Sequence, residues 1–159
     1  MNKIAIYPGT FDPITNGHLD IIERAARIFK KVYVAVAKSP NKSTYFSVED
    51  RVRFIKEASK AMKNVNVEAF DGLAVNYVHK KKSHVLIRGL RMISDFEYEF
   101  QMALTNRKLA GDVETLFMMP NEEYSYLSSK LVKEIAPLGA RISGFVPKCV
   151  EKELRRKVI

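Results

Sequence analysis

The sequence predicts an α/β fold, with one five-stranded parallel sheet covered by helices on both faces and contained in a single domain over residues 1–159. Three observations point there. Short β-rich runs alternate with stretches of helical period, which calls for a buried parallel sheet. The helical stretches gather their apolar residues on one face and carry cap signals at their starts. No linker, internal repeat or low-complexity segment interrupts the alternation.

Lys3–Tyr7 reads as the first strand, and His18–Lys30 follows as a helix with Leu19, Ile22, Ala26 and Phe29 on one face. Val32–Ala37 is the second strand. The helix over Ser47–Met62 has Val48, Val52, Ile55 and Met62 aligned, and Ser47 with Asp50 three residues on resembles a capping box. Val65–Phe70 is a strand, Leu73–Lys82 a helix, Val85–Arg88 a strand, Asp95–Ala110 a helix and Glu114–Met118 the last strand. Helices over Ser128–Ala136 and Pro147–Val158 complete the chain, Pro147 suiting a first turn.

A chain of 159 residues, 47% apolar and 28% charged, is long enough for a real core and unlike disordered or fibrous sequences. Its one cysteine, Cys149, allows no intrachain disulfide, which fits a reducing compartment and predicts a cytoplasmic location. No apolar run approaches the length of a bilayer span, so no membrane association is expected. The formal charge of +9, from 27 basic and 18 acidic side chains, attracts polyanions. Lys30-Lys31, Lys80-Lys81-Lys82 and Arg155-Arg156-Lys157 read as cationic helix ends. No nucleic-acid-binding motif appears, and Tyr33, Tyr45, Tyr77, Tyr124 and Tyr126 read as core or interface residues. His79 and His84 have no metal-ligand spacing, and Met102, Met118 and Met119 read as core filling.

In open parallel sheets ligands bind beyond the carboxyl ends of the strands, here after Tyr7, Ala37, Phe70, Arg88 and Met118. The loop Pro8–Gly17 delivers His18 to a helix start, where free N–H groups and the positive dipole end suit phosphate. Gly9 and Gly17 are expected to let the backbone approach a ligand closely. Simple capping is the other reading of His18. The chain lacks both G-x-G-x-x-G and G-x-x-x-x-G-K-[ST], which disfavours two common nucleotide-binding modes. Arg88 ends a strand that reads as buried, so its charge calls for a partner, a phosphate or an ion pair with Asp95 or Glu99. The same pairing is open to Arg91. Ser128 and Ser129 open a helix, either as caps or as phosphate ligands. Lys42, beside Asn41 in the loop after the second strand, reads by itself as a solvated loop lysine.

The segments Gly9-Thr10-Phe11-Asp12 and Thr15-Asn16-Gly17-His18 resemble the T/H-x-G-H signature of the nucleotidyltransferase superfamily. Leu86-Ile87-Arg88-Gly89-Leu90-Arg91, Asp95–Glu99 and Leu127-Ser128-Ser129 are similar to one of its families, the bacterial phosphopantetheine adenylyltransferases. The resemblance spans nearly the whole chain and implies a Rossmann-like nucleotidyltransferase fold. It also implies transfer of the adenylyl group of ATP to pantetheine 4′-phosphate with Mg2+, yielding dephospho-coenzyme A and pyrophosphate. Carried over by position, His18, Thr10, Lys42 and Arg91 are the catalytic residues. Thr10, Lys42, Ala74, Arg88, Met102 and Asn106 would bind phosphopantetheine. ATP would meet Thr10, Phe11, His18, Gly89, Leu90, Arg91, Glu99 and the run Tyr124, Ser125, Tyr126, Leu127, Ser128, Ser129 and Lys130. Lys130 stands where the family has a hydroxyl residue, and Ala74 where it often has a larger apolar one. The resemblance further implies a homohexamer, and the shared adenylyl-pantetheine chemistry implies coenzyme A as a competitive feedback inhibitor. A cytidylyltransferase or a nicotinate mononucleotide adenylyltransferase would share the N-terminal motif, but Arg88 through Glu99 argue for the first reading.

Overall fold

The computed structural model describes residues 3–38 and 43–158. The strands are β1 (Ile4–Gly9), β2 (Lys31–Ala37), β3 (Val65–Phe70), β4 (Val85–Gly89) and β5 (Glu114–Met118). They form one parallel sheet in the order β3-β2-β1-β4-β5. The helices are α1 (Asn16–Ile28), α2 (Val48–Ala58), α3 (Ala74–Lys80), α4 (Ile93–Leu109), α5 (Ser129–Ile135) and α6 (Lys148–Val158). Short 3-10 turns at Glu122–Tyr124 and Ala136–Leu138, absent from the sequence reading, flank α5.

Side chains that alternate along a strand face opposite sides of the sheet, and here both sides are buried. Ala5, Tyr7, Val34, Val36 and Ile87 enter one apolar cluster with α1, α2, α5 and α6, whereas Ile6, Ala35 and Leu86 enter a second with α3. Burial on both faces explains why β1, β2 and the start of β4 read as nearly continuous apolar runs, while Asn66 and Glu68 interrupt the edge strand β3. The predicted fold is the one observed.

Several ends differ from the sequence reading for local reasons. Helix α1 begins at Asn16 because Thr15 is its N-cap. Helix α2 stops at Ala58, short of Met62, where the Ser59 hydroxyl donates back to the Ile55 carbonyl at 2.7 Å and the chain turns. Ser47 caps α2 through the Asp50 N–H at 3.1 Å, as its spacing predicts. Pro147 precedes α6, its carbonyl accepting from Val150 and Glu151. The sheet places the site: β1 leads to β2 on one side, and the chain later crosses to β4 on the other. The strand order therefore reverses between β1 and β4, which opens a crevice at their carboxyl ends.

Candidate active site

A cavity of about 540 Å³ fills that crevice. It is lined from the β1 loop by Thr10, Phe11, Asp12 and Thr15, from α1 by His18, and from the loop before α2 by Ser43 and Thr44. Arg88, Gly89, Arg91 and Glu99 line it from the β4 side, and Ser128, Ser129, Lys130 and Lys133 from α5. Four of the five expected loops reach it. The loop after Phe70 does not, because β3 is an edge strand two positions from the reversal.

His18 sits in the first turn of α1 and closes a reciprocal cap: its Nδ1 accepts the Thr15 N–H at 3.1 Å, and the Thr15 hydroxyl accepts the His18 N–H at 3.4 Å. Capping and a place in the cavity are thus one arrangement. Burial, with the charges of Arg91 and Arg88 adding to it, holds the His18 pKa down to about 4. The ring is neutral at pH 7, and because Nδ1 accepts a backbone N–H, its proton belongs on Nε2. The loop below is packed by aromatics, Phe11 standing edge-on to Tyr7 at 5.3 Å and to His18 at 5.2 Å. Burial pushes the Tyr7 hydroxyl pKa up, with Arg88 and Arg91 acting against the shift, so Tyr7 stays neutral.

Gly9 and Gly17 both line the cavity, and close packing gives a further reason for a glycine at each. A Cβ on Gly9 would stand 2.9 Å from the Phe11 ring, and one on Gly17 would stand 3.3 Å from Tyr124 Cβ. On the side where each Cβ would stand, protein atoms occupy the space.

Of the partners open to Arg88, the structure supplies the ion pair with Glu99. Its Nε and Nη2 donate to the two carboxylate oxygens of Glu99 at 2.6 and 2.5 Å, and Nη1 donates to the Pro8 carbonyl at 3.0 Å. Burial disfavours the Arg88 charge, but the paired carboxylate outweighs it and leaves the pKa raised. Arg91 is held similarly, by Asp95 at 3.0 and 3.2 Å and by the Leu127 carbonyl at 2.8 Å. A guanidinium has five N–H donors, so each arginine keeps donors for a further oxygen.

The serine hydroxyls are committed. Ser128 caps α5 through the Leu131 N–H at 3.0 Å, and Ser129 donates to the Pro13 carbonyl at 2.7 Å. Lys130 is largely exposed, 3.9 Å from Glu134. Leu90, Tyr124, Ser125, Tyr126 and Leu127 do not line the cavity. Leu127 is a core side chain that contributes its carbonyl to Arg91, and Tyr124 covers Gly17. Ala74, at the start of α3, and Met102 and Asn106, on α4, also lie outside the lining. Lys42 lies outside the described residues.

Asp12 gained no role from the sequence. Its buried carboxylate accepts the Tyr45 and Phe46 N–H groups at 2.8 and 2.9 Å and the Lys133 ammonium at 3.0 Å, which joins three cavity segments. An acid inside the Gly9–Asp12 motif was the signal available for it. Thr15 stands in the sequence as the first residue of the Thr15-Asn16-Gly17-His18 motif, and its spacing to His18 is that of a capping box.

A parallel sheet with this crevice, a neutral histidine donor and two arginines fits a phosphate-handling enzyme of the nucleotidyltransferase class. The family model described as cytidylyltransferase-like matches residues 6–135, most of the chain, and the chain is a nucleotidyltransferase. The phosphopantetheine adenylyltransferase of Thermodesulfovibrio yellowstonii is 56% identical, covering 99% of this chain and 98% of its own length. That of Carboxydothermus hydrogenoformans is 54% identical, covering 98% and 96%. The chain belongs to the phosphopantetheine adenylyltransferase family. A solved structure from Vibrio parahaemolyticus, assigned as a nicotinate-nucleotide adenylyltransferase, superposes with a TM-score of 0.72 over 99% of this chain and 95% of that one. At 19% identity it shares the fold.

Proposed function

We infer that the chain transfers the adenylyl group of ATP to pantetheine 4′-phosphate, releasing pyrophosphate and forming dephospho-coenzyme A. The observation that carries this reading is the crevice between β1 and β4, where His18, Arg88 and Arg91 line one cavity. A phosphate oxygen of the acceptor attacks the α-phosphorus in line with the departing pyrophosphate, so catalysis is positioning and charge stabilisation without a nucleophilic side chain. The fixed Nε2–H of His18 is suited to the α-phosphoryl oxygens, where charge builds as the bond to pyrophosphate breaks. Thr10 would hold the acceptor phosphate with Arg88, and Arg91 would grip the polyphosphate. Lys42 would bridge the two phosphates.

Gly89 and Leu90 would border the adenosine. The segment Tyr124–Lys130 would meet the β- and γ-phosphates, with Lys130 adding a cation. Ala74, Met102 and Asn106 would receive the pantetheine arm beyond the cavity. Mg2+ would stabilise the charge of the triphosphate. The carboxylates lining the cavity, Asp12 and Glu99, are already bonded to cations, which suits an ion carried on phosphate oxygens and water rather than in a protein cage. Among the described residues no helix is long and apolar enough to cross a membrane, and a cytoplasmic location accords with the chemistry. Phe96, Tyr98, Phe100 and Leu104 are exposed on α4, which supports self-association into the hexamer.

Pyrophosphate release tests the reading. It should require ATP and pantetheine 4′-phosphate together, and faster turnover of CTP or of nicotinate mononucleotide would overturn it. Coenzyme A should displace both substrates in calorimetric titrations, and simultaneous saturation by coenzyme A and pantetheine 4′-phosphate would refute a shared site.

A further inference from the structure

Arg51 lies on α2, outside the cavity lining, and is the largest fully buried side chain among the described residues, at 1% exposure. Its Nη1 donates to the Thr10 carbonyl at 2.7 Å and to the Ala37 carbonyl at 3.1 Å, and its Nε donates to the Ser47 carbonyl at 3.3 Å. One guanidinium therefore ties the cavity loop after β1 to the end of β2 and the start of α2. Burial lowers its pKa, partly offset by the charges of Asp12 and Glu49, so keeping the cation there has a cost. For stability alone, a packed apolar side chain of similar volume serves as well or better than a buried charge. What an apolar side chain cannot do is hold three carbonyls in fixed directions.

The residue after Thr10 shows what that hold maintains. Phe11 has φ of 49°, a left-handed geometry that a bulky side chain keeps only where its surroundings impose it. Arg51 grips the carbonyl of the peptide unit entering Phe11. On the far side, Asp12 accepts the Tyr45 and Phe46 N–H groups, so the turn is fastened from both ends.

We propose that Arg51 is a positioning residue for Thr10: by holding the Thr10 carbonyl it sets where the Thr10 hydroxyl stands in the cavity, and so the alignment of the acceptor phosphate. The proposal rests on the adenylyl-transfer reading above. Arg51→Lys and Arg51→Gln, each alone and combined with Thr10→Ala, test it through the steady-state kinetics of pyrophosphate release and thermal melting of the full chain. In the wild-type background Arg51→Lys should lower kcat about tenfold or more while leaving the KM for ATP within about twofold, because misplacement acts on the reacting geometry. In the Thr10→Ala background the same substitution should change kcat by less than about twofold, since residues acting as one unit are non-additive. Equal losses in both backgrounds overturn the proposal, and so does failure of both Arg51 variants to fold, which would assign Arg51 to stability. An inactive wild-type chain would overturn the adenylyl-transfer reading and the proposal together.

Discussion

On the β1 side of the cavity, the polar side chains are fixed by bonds to backbone N–H groups, His18 to that of Thr15 within one helical turn and Asp12 to those of Tyr45 and Phe46. On the β4 side they are long side chains fixed by pairing to carboxylates of α4, Arg88 to Glu99 and Arg91 to Asp95. The first wall is preorganised and neutral at its histidine. The second is charged, satisfied in advance, and able to lend its remaining N–H groups to a phosphate. Fixed dipoles stabilise charge that appears only in a transition state, whereas guanidinium groups suit charge already present on the substrates.

Four substitutions or conditions would break or sharpen this contrast. His18→Ala should lower kcat by roughly a hundred- to a thousandfold, the usual loss on removing one such donor, with smaller changes in KM. Because His18 also closes the cap on α1, the variant should lose about 1 kcal/mol of stability in urea titrations, more than a simple helix-start histidine would predict. A folded variant with near-native kcat would remove His18 from the mechanism.

Arg88→Ala should weaken acceptor binding roughly ten- to hundredfold, the usual range for a charge-assisted contact, with ATP binding less affected in calorimetry. It should also destabilise the chain by about 3 kcal/mol, since Glu99 is 8% exposed and would lose its counter-ion. Adding Glu99→Ala should recover much of that stability without recovering acceptor affinity. Joint recovery of both would make Arg88 a structural residue only.

Asp12→Asn puts an amide NH₂ against N–H donors and loses the Lys133 pair, so a stability loss on the order of 2 kcal/mol is expected in urea titration. An unchanged midpoint would show that the carboxylate is not the fastening assigned to it.

The smallest effect is one of pH. The His18 pKa falls from 6.5 to about 4 on folding, so between those values the unfolded chain binds more protons. Its contribution to stability is therefore full above pH 6.5 and is lost as pH falls toward 4. The stability gap between the wild type and His18→Ala should narrow over that window in thermal melts. A gap that widens on acidification would show that the buried ring is charged.

The fold was legible because burial on both sheet faces gives the central strands β1, β2 and β4 nearly continuous apolar runs, and because Ser47 carries its cap signal in its spacing to Asp50. The site was legible where a motif delivers a side chain to a strand end, as with His18, Arg88 and Arg91. It was not legible where function depends on who holds whom. Asp12 reaches Lys133 across 121 residues and Arg51 reaches Thr10 across 41, and no local period or spacing records such pairings, whereas the nearer pairs of Arg88 with Glu99 and Arg91 with Asp95 were among the alternatives open in the sequence. Leu127 shows the converse, a motif position whose side chain is core and whose carbonyl does the holding.

Near the end of α6, Lys157 donates to the Tyr45 carbonyl at 2.9 Å and lies over the Tyr45 and Phe46 rings at 4.8 and 4.7 Å. The final helical turn is thereby clasped to the stretch that carries Ser43 and Thr44 into the cavity. Loss of this clasp would be felt at the cavity wall while the sheet stays intact, so a change as distant as Lys157→Ala should loosen the stretch that carries Ser43 and Thr44.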